Sequence, residues 1–219
     1  MKGFITRALH TQTRVKDANG ALRTPIYENA AFEFDTAEDI DDVSIGKSVG
    51  HVYTRSSNPT VENFELSVKN LTNSLGVIAL SSGMAAISTA ILALVKAGDS
   101  IITTKCLFGH TLSFFQNTLS SLGINIKFVD VLDIKEVEKA FDENVKLLFF
   151  ESISNPQLQV ADIEKLSKLS HAHGVPLIVD TTATPFYMFD AKKFGVDIEV
   201  LSSTKFISGG GTSVGGLII

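Results

Sequence analysis

Leu177-Ile178-Val179-Asp180-Thr181-Thr182 sets three branched apolar residues directly against a carboxylate and two hydroxyls. A short apolar run with so abrupt an end reads as a strand buried on both faces, as in a parallel sheet. The pattern recurs along the chain. Residues 77–80 run into Ser81-Ser82-Gly83-Met84, residues 146–150 into Glu151 and then Asn155-Pro156, and residues 198–201 into Ser202-Ser203-Thr204-Lys205. Further strand-length runs at 100–104 and 126–129 alternate with amphipathic stretches of helix length at 84–95, 110–122, 134–141 and 163–173. This alternation predicts an α/β fold, a mainly parallel sheet with helices on both faces. Ligands of such sheets sit beyond the carboxyl ends of the strands, so the polar residues after each run are the candidates for chemistry.

Upstream the pattern changes. Residues 1–58 carry Gly, Pro, Asn and Asp punctuation with only short apolar runs, which predicts an extended arm, and residues 59–219 form the main domain. Pro59 suits a first helical turn, and Val61, Phe64, Leu66, Val68 and Leu71 supply an apolar face, predicting a helix over 60–73. No internal repeat or low-complexity stretch is present.

The 219 residues are 44% hydrophobic and 20% charged, enough for one sizeable core. The net charge of −5, from 19 basic and 24 acidic residues without a long block of either sign, argues against a nucleic-acid groove or a polybasic membrane patch. A small molecule is the expected partner. Cys106 is the single cysteine, so no internal disulfide forms, and a reducing cytoplasm fits. Met1-Lys2-Gly3-Phe4 lacks the apolar core of a signal peptide, and the richest apolar stretch, 77–95, is broken by Ser81, Ser82, Gly83, Ser88 and Thr89, which argues against a membrane span.

Lys205 follows a strand at the ligand edge and precedes Ser208-Gly209-Gly210-Gly211. A lysine amine attacks an aldehyde only when unprotonated, and burial at a strand end lowers its pKa; a surface lysine at a strand exit is the plainer alternative. Asp180 needs a partner to stay charged at the sheet edge, and a protonated pyridine nitrogen is one, although capping of the following turn is a common role for such an Asp. Ser82-Gly83-Met84 opens a helix whose first N–H groups can hold a phosphate, or Ser82 is simply its cap. Ser202 and Thr204 offer hydroxyls, and Tyr53 and Arg55 a phenol and a guanidinium, to the same anion. Phe108 can stack on a flat ring or serve as packing; Asn155 can donate to a ring oxygen or mark a turn. His171 and His173, two apart on a helix, face different ways and make no metal site. No Cys/His cluster, Walker pattern or dinucleotide fingerprint is present.

Five segments in order, Tyr53-x-Arg55-x-x-Asn58-Pro59-Thr60, Ser81-Ser82-Gly83-Met84, Glu151-Ser152-x-x-Asn155-Pro156, Val179-Asp180-Thr181 and Ser202-x-Thr204-Lys205, resemble the Cys/Met-metabolism family of pyridoxal-phosphate enzymes. The resemblance implies an aspartate-aminotransferase-like (fold type I), mainly parallel seven-stranded sheet. It makes Lys205 the Schiff-base lysine and proton carrier, and Asp180 the partner of the pyridine nitrogen. Ser82, Gly83, Met84, Ser202 and Thr204 would hold the phosphate of pyridoxal 5'-phosphate, Phe108 would stack on the ring and Asn155 would touch its ring oxygen. Tyr53 and Arg55, on the arm, would complete the site of a neighbouring subunit in a homodimer or homotetramer.

The segment 203–216 and the opening Ala8-Leu9-His10-Thr11 look most like the O-acetylhomoserine sulfhydrylase branch. That branch implies replacement of the acyl group at the γ-carbon of an O-acyl-homoserine by a sulfur nucleophile, giving homocysteine for methionine biosynthesis. Cystathionine γ-synthase and methionine or cystathionine γ-lyase use the same scaffold, and a non-catalytic assembly module is the reading from another class. Two departures stand out: Phe108 occupies a position where most relatives have tyrosine, and His110 one often held by a small residue or cysteine. The chain also stops at Leu217-Ile218-Ile219, inside what reads as a strand, so the expectation is a fragment or split-gene product lacking the C-terminal small domain, with weak cofactor binding and little turnover alone.

Overall fold

The computed structural model describes residues 3–10 and 19–219, so Met1, Lys2 and the Thr11 of the opening motif lie outside the described residues. The chain divides into two compact units, Met1–Val77 and Ile78–Ile219. The division falls after the helix Pro59–Thr72 rather than before it, because that helix is tied to upstream chain.

In the first unit the described residues form α1 (Phe4–Leu9), α2 (Ala37–Ser44) and α3 (Pro59–Thr72). The sequence pattern anticipated α3 but not α1 or α2. Helix α2 begins at Thr36, whose hydroxyl accepts the Asp39 N–H while Glu38 and Asp39 sit in its first turn; that Thr-x-x-Asp spacing is a local start signal that the weak apolar pattern hides. Helix α3 has Pro59 in its first turn and Asn58 as N-cap, its side-chain oxygen accepting the Thr60 N–H at 2.8 Å. The Arg7 guanidinium donates to the carbonyls of Asn70 and Leu71 at the far end of α3, where unpaired carbonyls are expected.

The second unit holds a seven-stranded sheet of β1 (Ile78–Leu80), β2 (Ser100–Thr103), β3 (Asn125–Phe128), β4 (Val145–Glu151), β5 (Leu177–Asp180), β6 (Ile198–Leu201) and β7 (Gly216–Ile218). The strand order is β1-β7-β6-β5-β4-β2-β3. Neighbours from β3 to β6 are parallel; β7 runs antiparallel to both β6 and β1. The carboxyl ends of β1, β2, β4, β5 and β6 therefore share one edge, and β7 starts there.

Each face buries its own cluster, as the two-residue period of a strand dictates. Ile101, Leu147, Phe149, Ile178 and Val200 pack with Ala86, Ile87, Ala90 and Ile91 of α4 (Gly83–Leu92). Ile102, Leu148, Phe150, Leu177 and Val179 pack on the other face with Val137 of α5 (Ile134–Ala140) and Ile163 and Leu166 of α6 (Ile163–Ala172). The stretch expected as one helix over 110–122 is a short α-turn, Gly109–Ser113, that widens into a π-helix, Phe114–Leu119. The apolar period holds through it because Phe115 and Leu119 both remain fully buried.

Candidate active site

At the shared strand edge the sequence-selected residues of the second unit form a connected line. Gly83 opens α4 against Ser202: a Cβ at Gly83 would lie 2.7 Å from the Ser202 Cβ, so any larger residue forces the two apart. Ser202 donates its N–H to the Thr182 hydroxyl at 2.9 Å, and Thr182 donates its own N–H to Asp180 Oδ1 at 2.8 Å. Asp180 pairs in register with Glu151 across β5 and β4. Glu151 accepts the N–H of Phe108 at 2.6 Å and that of Asn155 at 3.0 Å.

Some candidate groups are free for a ligand and others are spent within the fold. Among the described residues the N–H groups of Gly83 and Met84 and the Ser202 hydroxyl have no partner. They lie at a helix start, where N–H groups point outward with partial positive charge. The Ser82 hydroxyl instead accepts the Ala85 N–H, the capping alternative. The Thr204 hydroxyl accepts the Gly215 N–H at 2.9 Å and so ties the turn 202–205 to the start of β7. Gly216 follows against Ser82, with space for no side chain: a Cβ there would meet the Ser82 carbonyl oxygen at 2.1 Å.

Asp180 is 9% exposed. Burial pushes its carboxyl above the usual range, opposed by hydrogen bonds from the Thr182 side chain and N–H. Glu151 is pushed up to about 7, by burial first and by the charge of Asp180, against the pull of the Phe108 and Asn155 N–H groups. No basic side chain forms an ion pair with either carboxylate among the described residues. Two adjacent buried carboxylates form a place for a cation supplied by a ligand. Lys205 itself is exposed, not buried as the sequence argument supposed, because the turn 202–205 carries it past the end of β6; its N–H donates to the Ser202 carbonyl. Phe108 is 43% exposed and its ring leans on His110 at 5.4 Å between centroids. Asn155 is exposed in the turn after β4.

Tyr53 and Arg55 belong to the first unit. Asn58 is 3% exposed and donates to the Tyr27 carbonyl and the Thr54 hydroxyl, while Thr60 accepts the Tyr27 N–H. These bonds make Asn58 and Thr60 structural. They leave Tyr53 and Arg55 exposed, with the guanidinium 5.0 Å over the phenol ring.

His171 meets Asp197 at 2.8 Å and His173 stacks on Phe141, so both serve the fold. Sequence reasoning gave no roles to Glu151 and Thr182. The signal for Glu151 was a carboxylate at the end of a fully apolar run; Thr182 had none beyond its hydroxyl.

A parallel sheet with one reversed strand, a helix start facing a serine and a buried carboxylate at the strand edge defines the cofactor-binding half of a fold type I pyridoxal-phosphate enzyme. Residues 5–219 match the family described as Cys/Met metabolism PLP-dependent enzyme, and the chain belongs to that family. It is 37% identical over 219 residues to the L-methionine gamma-lyase of Fusobacterium nucleatum, covering 99% of this chain and 55% of that protein. The structure of the O-acetylhomoserine sulfhydrylase of Wolinella succinogenes is 56% identical with a TM-score of 0.74, over all of this chain and 49% of that one. A Campylobacter jejuni structure named for O-acetylhomoserine (thiol)-lyase, with N'-pyridoxyl-lysine-5'-monophosphate at position 205 of that chain, is 33% identical with a TM-score of 0.93, over all of this chain and 54% of that one. The chain spans about half the length of the curated relatives it matches. No helix among the described residues is long and apolar enough to cross a membrane.

Proposed function

We propose that this chain binds pyridoxal 5'-phosphate through Lys205 and that the whole protein exchanges the γ-substituent of an O-acyl-homoserine, with O-acetylhomoserine the best candidate, for a sulfur nucleophile. The observation that carries the cofactor site is the connected line from the free N–H groups of Gly83 and Met84, through Ser202 and Thr182, to the buried Asp180. These groups fit the cofactor's chemistry: donors for a phosphate at one end, an anion for a pyridinium at the other. When bound, pyridoxal phosphate supplies an electron sink for negative charge developing at substrate carbons.

The chain's own residues do the rest. The Gly83 and Met84 N–H groups and the Ser202 hydroxyl hold the phosphate; Ser82 and Thr204 support them through the cap and the Gly215 tie. Asp180 keeps a proton on the pyridine nitrogen, since the cation offsets the cost of its burial. Phe108 covers a ring face and Asn155 donates to the ring oxygen. With the cofactor bound, the Lys205 amine would take and return protons at the substrate carbons. Phe108 carries no phenol, so no proton passes through that side chain. Tyr53 and Arg55, displayed together, serve the phosphate site of a second copy of the protein, which makes the working unit at least a dimer.

The 56% identity to the Wolinella sulfhydrylase supports replacement over elimination. The similarity to L-methionine gamma-lyase keeps γ-elimination as the second reading. The test has two arms on the whole protein. Borohydride reduction after loading with pyridoxal phosphate, followed by peptide mapping, should label Lys205; a label elsewhere or none overturns the site. O-acetylhomoserine with sulfide should then yield homocysteine, whereas methionine alone yielding 2-oxobutanoate and methanethiol would favour the lyase.

A further inference from the structure

We propose that Glu151 is a positioning residue for the cofactor ring: one carboxylate that ties the backbone of Phe108 and the backbone of Asn155 to the strand edge carrying Asp180. The inference rests on the cofactor site proposed above. Phe108 and Asn155 come from different loops, one after β2 and one after β4, and both side chains are exposed. Surrounding packing therefore leaves both side chains partly open, Phe108 with a lean on His110. Phe108 starts the short helix Gly109–Ser113 without a side-chain capping bond, so the N–H bond to Glu151 is the anchor at that point. Asn155 is anchored in the same way from the other oxygen.

Only a carboxylate meets this demand from one side chain. Its two oxygens are both acceptors, whereas the carboxamide of Gln has one acceptor and would turn an NH₂ group toward one of the two donors. The placement is otherwise unfavourable, with Glu151 7% exposed and beside the buried Asp180. Burial and the Asp180 charge raise the Glu151 carboxyl to about 7 against the pull of the two loop amides, so the amides offset only part of the cost of the placement, and what the geometry shows in return is one side chain holding both loops. A cation held by Asp180 would relieve that repulsion, so ring binding and loop anchoring reinforce each other.

The test compares Glu151→Gln with the parent in the whole protein. Without cofactor, hydrogen exchange followed by mass spectrometry should quicken in the segments containing Phe108 and Asn155. With pyridoxal phosphate, affinity by equilibrium dialysis should fall by about tenfold or more, as loss of a hydrogen bond to a charged group implies. The induced circular dichroism of the bound cofactor should shrink as the ring loses its fixed setting. In a Phe108→Ala background the same change should cost less affinity than in the parent, since the residues act through one another. Unchanged exchange, affinity and dichroism, or an effect fully additive with Phe108→Ala, overturns the inference. If Glu151→Gln does not fold, Glu151→Asp keeps both acceptors on a shorter arm and carries the same comparison. A parent that fails to bind the cofactor would sink the proposed site, while a parent that binds and a variant that binds equally would sink only the role of Glu151.

Discussion

Two buried glutamates near the strand ends lie on opposite faces of the sheet. Glu151 shares its face with Asp180, Ile178 and Phe149, toward α4. Glu199 pairs in register with Val179 and faces the side of α5 and α6, where the fully buried Thr181 donates its hydroxyl to it. Both carboxyls are pushed up to about 7, chiefly by burial, and both sense the charge of Asp180. Glu151 accepts from loops that end at the candidate site, whereas Glu199 accepts from Thr181, the residue that directly follows β5. A perturbed carboxyl alone therefore does not mark a site here; what it holds in place does.

The largest expected effect lies on the Glu151 side of this comparison. Lys205→Ala should lower turnover by about 10²–10⁴-fold and abolish borohydride labelling at that position, because no other lysine lies between β6 and β7. Activity close to the parent's would remove the lysine from the mechanism and leave both glutamates as fold residues.

Gly216→Ala tests whether the site depends on close backbone approach. With its Cβ placed 2.1 Å from the Ser82 carbonyl oxygen, the strand must shift, and a loss of about 3 kcal/mol in urea denaturation is expected, together with weaker cofactor binding. A variant as stable as the parent would mean that β7 moves freely beside α4.

Glu199→Gln should leave cofactor affinity unchanged and alter only the pH dependence of stability. A folded-state pKa near 7 against an unfolded value of 4.5 means that the native state holds a proton the unfolded state has released. Stability is thus greatest below about 4.5 and declines as pH rises through 7. The Gln variant keeps an acceptor for Thr181 and removes that decline, by at most about 3 kcal/mol at pH 8. Melting curves at pH 5 and pH 8 check the sign. A matching loss of cofactor affinity would erase the contrast with Glu151.

Much of this was legible in the chain itself. The runs at 100–104, 146–150, 177–179 and 198–201 became strands with ends moved by a residue or so, since fully apolar segments of that length have few other places to go. Lys205, Asp180 and Gly83 were singled out because the fold class puts strand ends together at one edge. Hydroxyls were harder. Ser82 and Thr204 carry the same donor chemistry as Ser202, and only their neighbours decided that the first caps α4, the second ties Gly215 and the third stays free. The arm hid α1 and α2 because neither buries a residue, so no apolar period announces them.

The order of apolar runs and the five ordered motifs determined the sheet, the family and the residues to watch, because burial periodicity and strand-end chemistry are local in sequence. The tertiary structure alone decided that Lys205 stands exposed, that β7 runs against its neighbours and that Glu151 joins two distant loops. Those depend on which backbone donors arrive from elsewhere in the chain, and a hydrogen bond across the sheet edge leaves no period in the sequence to read.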